Sequence, residues 1–353
     1  MKLVLSLLLV ASLAAGFSAR ADDAKKLRII TWADYVPAEV VTQFKKETGI
    51  QVEVALSNNE EIMSKLRATG GAGFDLAQPS QDRIISAQQE FHIYRPIDLG
   101  KVKVSQFTPE LLETVKKNAT LNGKLYALPY VWGAEGLLVN SKRAKISDYT
   151  DLCKPEFKGK TAVRLKRPTL MAFALASGKN PFALYHDTKA YTALMEEVGR
   201  KLISCKANFR FFYDNKDQLL NGVRSGEIVA AIMWDSGAWK LNRENPDIKF
   251  INPRSGAIAW LDTFALPARG KNEAGAYAWI NFTMRPEIAA KIAKSIGNFT
   301  ASKGAEQLMD ARIKAQFAES FPDGFKNIKW YPAIPPGLEE IEGRILDRIK
   351  AAD

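Results

Sequence analysis

From residue 26 onward, short β-rich runs alternate with amphipathic helical patterns, and this alternation constrains the fold most. It predicts an α/β chain whose parallel or mixed sheet is covered by helices on both faces. Leu27–Trp32 reads as a first strand. A helix opens at Pro37, places Val40, Val41 and Phe44 on one face, and stops at Gly49. Ile50–Val54 alternates as a second strand, Glu60–Ala68 is helical up to Gly70-Gly71, and Phe74–Ala77 is a short third strand. This βαβαβ beginning has no G-x-G-x-x-G in its first turn, which argues against a dinucleotide site. A second unit repeats the alternation: strand Lys160–Arg164, helix Pro168–Ser177, helical patterns over 188–202 and 215–226, and the apolar strand Ile228–Trp234. Leu338–Ala351 sets Ile341, Ile345, Leu346 and Ile349 on one side, as a helix docked on a lobe does.

Two extended segments, Leu125–Asn140 and Ala257–Pro267, exceed an ordinary strand of about five or six residues. Two such passages imply two crossings between lobes, and hence a hinged, two-lobed fold with a ligand cleft. The expected lobes are residues 22–132 with 260–302, and 133–259 with 303–353. A chain of 353 residues is long enough for a core in each.

Residues 1–21 carry the three parts of a secretory signal: Lys2, the apolar segment Leu3–Phe17, and Ala19-Arg20-Ala21 in A-x-A form. A membrane anchor would need about 20 apolar residues, and Arg20 with Asp22-Asp23 ends the segment too soon. The expectation is cleavage near Ala21 and a periplasmic mature chain. Removing Lys2 and Arg20 lowers the formal charge from +11 to +9. The basic residues are scattered among acids with no block of five or six, which reads as a solvated basic surface, not a nucleic-acid site. In an oxidising compartment Cys153 and Cys205 have the opportunity to pair, but sequence does not say whether their Cα atoms come within reach.

Little in the chain calls for catalysis. G-x-S-x-G, H-E-x-x-H and C-x-x-C are all absent. His92 and His186 sit in loop contexts, and Glu110/Glu113 and Glu339/Glu340 fall on polar helix faces. No catalytic residue, metal or cofactor is expected. The informative pattern is an aromatic ring beside a lone carboxylate at strand ends. Trp32, Asp34 and Tyr35 follow the first strand, and Ser80 and Asp82 follow the third. Trp234 and Asp235 end the apolar strand of the second unit, and Trp260 and Asp262 lie in a long extended segment. Open α/β sheets bind ligands outside the carboxyl ends of their strands. Rings attract alkylammonium groups by about 0.5–2 kcal/mol each, carboxylates accept charge-assisted hydrogen bonds, and buried methylenes add about 0.8 kcal/mol apiece. Each residue alone also has a plain reading: a strand-end Trp fills a core, and an Asp such as Asp34 caps the helix at Pro37.

Five segments in order carry a wider likeness: Thr31–Pro37 (TWADYVP), Phe44–Ile50 (FKKETGI), Phe74–Leu76 with Pro79-Ser80, Leu128–Gly133 (LPYVWG) and Trp260–Pro267 (WLDTFALP). Over about residues 27 to 300 the chain resembles the periplasmic spermidine/putrescine-binding proteins of ABC importers. The resemblance implies a hinged two-lobed solute-binding fold, a small-molecule amine ligand, ABC permease subunits as partners, and a monomer. By position it implies aromatic walls at Trp32, Tyr35, Trp234 and Trp260, amine acceptors at Asp34 and Asp262, and a polar contact at Ser80. It also shows departures. Two acids that hold a terminal amine in the family align with Lys166 and Thr169, beside the run Arg164-Leu165-Lys166-Arg167, and an aromatic lid residue aligns with Asn298. Like charge against an ammonium is costly at low dielectric. Either Asp82 and Asp235 restore the acidity, or Lys166 or Arg167 grips the anionic end of a zwitterionic amine, or the basic run faces solvent. Presentation of ligand occupancy to a membrane sensor is the alternative to feeding a permease.

Overall fold

The computed structural model describes residues 23–214, 216–323 and 326–352. The signal segment expected over residues 1–21 lies outside them. By contact the chain divides into two units: unit 1 holds residues up to Tyr130, Asp262–Ile296 and Thr300–Leu308, and unit 2 holds Val131–Leu261, Gly297–Phe299 and Met309 onward.

In chain order, unit 1 begins with β1 (Lys26–Thr31), α1 (Ala38–Thr48), β2 (Gln51–Leu56), α2 (Asn59–Thr69) and β3 (Leu76–Ala77). Strand β4 (Ala127–Asn140) carries the chain into unit 2. There follow β5 (Thr161–Val163), α3 (Arg167–Ala176), α4 (Thr188–Ser204), β6 (Phe209–Phe212), β7 (Ala230–Trp234), α5 (Asp235–Glu244) and β8 (Ile248–Ile251). Strand β9 (Ala257–Pro267) returns to unit 1, α6 (Glu273–Thr283) follows, and α7 (Leu338–Ala351) closes unit 2. The two long extended segments are thus single strands, as expected. A further exchange of chain occurs over residues 297–308, which the two-crossing expectation lacked. Gly297–Phe299 group with unit 2 because Asn298 hydrogen-bonds Asp235 and Phe299 stacks on Trp132.

Local chemistry explains the elements. In α1, Pro37 presets the entry backbone, Val40 and Phe44 recur four apart and are fully buried, and Gly49 ends the helix in the left-handed region. Pro37, not Asp34, occupies the cap position, and Asp34 is exposed and itself left-handed. Helix α2 is capped as composition suggests, with Asn58 accepting from the Glu61 N–H. Phe44 meets Trp279 of α6 edge-on with centroids 5.0 Å apart, which anchors α1 to unit 1.

In unit 1, β2 and β3 run parallel to β1, and β9 joins β3 antiparallel with Ala265 opposite Ala77. The ladder continues as an isolated bridge between Ser80 and Asp262. In unit 2, β7 lies antiparallel to β4 and parallel to β5, and β6 extends β5 in parallel. Helix α7 buries Ile341, Ile345 and Ile349 in a core shared with Leu170, Phe173 and Tyr191. Cys153 and Cys205 form a disulfide within this unit, closing the pairing question left open by the sequence. Among the described residues, no helix is long and apolar enough to cross a membrane.

Candidate functional site

Each unit presents a cluster of chemistry-bearing side chains at the carboxyl ends of its parallel strands, where ligand sites of open α/β sheets form.

In unit 1 the cluster centres on Asp262. Bridge pairing brings it opposite Ser80, just beyond β3, while Tyr35 arrives from the loop after β1. The Tyr35 hydroxyl donates to Asp262 Oδ2 and the Ser80 hydroxyl to Oδ1, each at 2.5 Å. Supporting residues fix both donors. Asn59 donates to Ser80 Oγ at 2.9 Å and accepts from the Ser80 N–H at 3.0 Å. The Tyr130 hydroxyl donates to the Tyr35 carbonyl at 2.6 Å. The half-buried Trp32 ring is oriented by its N–H, which donates to the Gln78 carbonyl at 3.0 Å.

Asp262 is 3% exposed, and burial pushes its carboxyl up to about 7. The Ser80 and Tyr35 hydrogen bonds oppose that rise, and the like charge of Asp82 adds to it. Both donors are neutral, so the site holds a carboxylate without a matching positive charge among those partners. A group in this condition ionises fully only when a cation arrives. Asp82 is itself buried and has Arg83 Nε 3.4 Å from its carboxylate. Asp34 stands exposed in the turn between Trp32 and Tyr35.

In unit 2, register sets the site. Trp234, the last residue of β7, lies opposite Glu135 of β4. Arg164 leaves the end of β5, the parallel neighbour of β7, and its guanidinium carbon sits 4.8 Å from the centre of the Trp234 ring. Arg164 Nη1 is 4.0 Å from Glu135 Oε1. Burial pushes Glu135 up to about 7, against the pull of Arg164 and a hydrogen bond from Trp234. Asp235 is also raised to about 7 by burial. Its oxygens are occupied: Oδ2 accepts from the Ala134 N–H at 2.9 Å, and Oδ1 from Asn298 at 2.6 Å and the Ser236 N–H at 2.7 Å. Asp235 therefore stitches β4, the start of α5 and residue 298 together. The Trp260 ring lies against Gly133, where an added Cβ would fall 2.5 Å from the indole, so only glycine lets the ring approach.

The structure gathers Tyr35, Ser80 and Asp262 in one unit and Trp234 and Asp235 in the other. It gives the basic run other work. Lys166 is half exposed, with Asp214 at 3.8 Å. Arg167 is 7% exposed. It lies 5.2 Å from the Tyr331 ring centre, hydrogen-bonds the Tyr185 hydroxyl, and has Nε 3.5 Å from the buried Glu342 of α7. An anion-gripping role for Arg167 gives way to this helix-docking pair. Thr169 donates its hydroxyl to the Arg164 carbonyl at 2.5 Å.

Sequence reading missed Glu135, hidden in a continuous apolar strand, and Asn59, which holds Ser80. Only the alternation opposite Trp234 could have flagged Glu135, and that requires the register. Among the described residues, no three His, Cys, Asp or Glu converge to hold a metal ion.

The profile of the family described as bacterial extracellular solute-binding protein matches residues 39–319. The chain is 31% identical over 332 residues to the spermidine/putrescine-binding periplasmic protein of Escherichia coli K12, covering 92% of each chain. It is 28% identical to the putrescine-binding periplasmic protein of the same organism, covering 86% of this chain and 85% of the relative. A crystal structure of a spermidine/putrescine ABC transporter substrate-binding protein from Streptococcus pneumoniae superposes with TM-score 0.76 at 24% identity, covering 92% of this chain and 98% of that one. With its strand-end clusters carried on this fold, the chain belongs to the bacterial extracellular solute-binding protein family.

Proposed function

We propose that this protein is a periplasmic receptor that captures a polyamine of the putrescine/spermidine class and hands it to the permease subunits of an ABC importer, without catalysing a reaction. The observation that carries this reading is Asp262, a buried carboxylate held by two neutral hydroxyls and lacking a positive counterpart among its hydrogen-bond partners. An alkylammonium supplies that counterpart and donates to the carboxylate's remaining lone pairs, and the nearby Trp32 and Tyr35 rings suit its methylene chain. Trp234 and Trp260 offer further rings in unit 2. The names of the relatives support the same ligand class. Residues 1–21 direct export and are removed near Ala21, and the mature chain works as a monomer.

Calorimetric titration of the purified mature chain with putrescine and with spermidine tests this reading. One-to-one binding of at least one of them is expected, and native mass spectrometry of the protein as purified should show a small basic molecule retained. Absence of binding to every di- and triamine overturns it.

A further inference from the structure

The two clusters treat positive charge differently, and the difference lies in Arg164. A polyamine receptor needs, wherever it meets an ammonium, an aromatic face and a carboxylate with free acceptor capacity. Unit 2 has both kinds of group, but its own side chains already use them. The Trp234 ring carries the Arg164 guanidinium at 4.8 Å, and Glu135 has that guanidinium at 4.0 Å. The other acid, Asp235, is taken up by three donors from Ala134, Ser236 and Asn298. The placement of Arg164 is built into the backbone. Its carbonyl accepts from the Lys166 N–H at 2.7 Å and from the Thr169 hydroxyl at 2.5 Å, which fixes the turn between β5 and α3. The Arg164 side chain is 27% exposed, and its Nε–H is buried with no acceptor among the described residues, so the guanidinium keeps hydrogen-bonding capacity in hand.

The geometry points to Arg164 as a specificity-determining residue: its guanidinium fills the ammonium position on Trp234, so that a ligand end meeting unit 2 is preferred uncharged or anionic, a carboxylate fitting best. This rests on the amine-receptor reading above and ranks its ligands: a chain amine whose other end is uncharged or anionic binds more tightly than a diamine. An ammonium arriving at Trp234 meets a like charge, whereas a carboxylate meets the planar donor fork that suits it.

Putrescine and 4-aminobutyrate form a matched pair of four-carbon chains, the second replacing one ammonium end by a carboxylate. Their dissociation constants are measured by calorimetry for the wild type, Arg164→Gln and Arg164→Lys, with thermal melting to confirm folding. Removing the charge in Arg164→Gln is expected to move the specificity ratio toward putrescine by at least about fivefold. Arg164→Lys, which keeps the charge, is expected to stay nearer the wild type than Arg164→Gln does. A ratio that shifts less than about fivefold, or shifts toward 4-aminobutyrate, overturns the assignment. The two readings fail separately. A wild type that binds putrescine with an unchanged ratio in Arg164→Gln defeats the role of Arg164 alone. A wild type that binds no polyamine, beside an Arg164→Gln variant that does, defeats the polyamine reading alone. If neither binds either compound, both fall.

Discussion

Unit 1 and unit 2 each bury carboxyl groups at strand ends, and burial raises Asp262, Asp235 and Glu135 alike to about 7. What surrounds them differs. Asp262 has two neutral hydroxyls and a like-charged neighbour in Asp82. Glu135 has a guanidinium, and Asp235 has two backbone N–H groups and an amide. Unit 1 thus leaves the charge of Asp262 to be met from outside, whereas in unit 2 Glu135 has the Arg164 guanidinium beside it and the oxygens of Asp235 are taken up by three neutral donors. A buried acid points to a cation site only when its partners leave it short of positive charge.

The contrast is sharpened first by Arg167, whose effect should fall on stability and not on binding. Arg167→Met leaves Glu342 buried without its partner, and breaking such a pair costs about 3 kcal/mol or more. Chemical denaturation should show that loss while putrescine affinity stays unchanged. A variant of normal stability and weakened affinity would return Arg167 to the ligand site.

Next in size is pH. A free carboxyl with a pKa of about 7 must lose its proton before it can pair with an ammonium, so affinity rises with pH from 5.5 to 7.5, by roughly 20-fold for one such acid. The unfolded chain ionises its acids near the ordinary values of about 4, so between there and 7 the folded chain binds more protons than the unfolded one. Stability of the ligand-free protein therefore falls as pH rises through that window, the opposite sign to the affinity. Calorimetry and thermal melting at several pH values check both slopes. Asp262→Asn should abolish the pH dependence of binding, and Asp235→Asn should keep it. The reverse result would break the asymmetry between the units.

The smallest expected effect is at Lys166. Its half-exposed ammonium is screened by solvent, so Lys166→Glu should change putrescine affinity by less than about threefold. A large gain in the same titration would place that charge against the ligand.

The fold was legible because its signals are local. Pro37 and Gly49 bracket α1 within the sequence itself, and the one-sided isoleucines of the last segment give α7 its length. The aromatic–carboxylate pattern singled out Tyr35, Ser80 and Asp262 because strand ends are local features too, and Tyr35 and Ser80 both hydrogen-bond Asp262. What escaped depends on pairings far apart in the chain. In Arg164-Leu165-Lys166-Arg167 sequence alone cannot tell which cation turns toward which partner. Arg167 is drawn inward by Glu342 of the last helix, and Arg164 is drawn onto Trp234 by the parallel pairing of β5 with β7. Glu135 sits within an unbroken apolar run whose burial hides its function, and only the antiparallel register places it opposite Trp234. Asn298 looked like a lost aromatic; in place, it donates to Asp235.

On the proposed reading, the uncompensated carboxylate of unit 1 grips the amine. Calorimetric titration of putrescine into wild type and Asp262→Asn at pH 7.5 tests it most directly, because the substitution keeps the shape and removes the charge. At least about 100-fold weaker binding is expected from Asp262→Asn, with a melting temperature no lower than the wild type's. Equal affinity of the two proteins would contradict it.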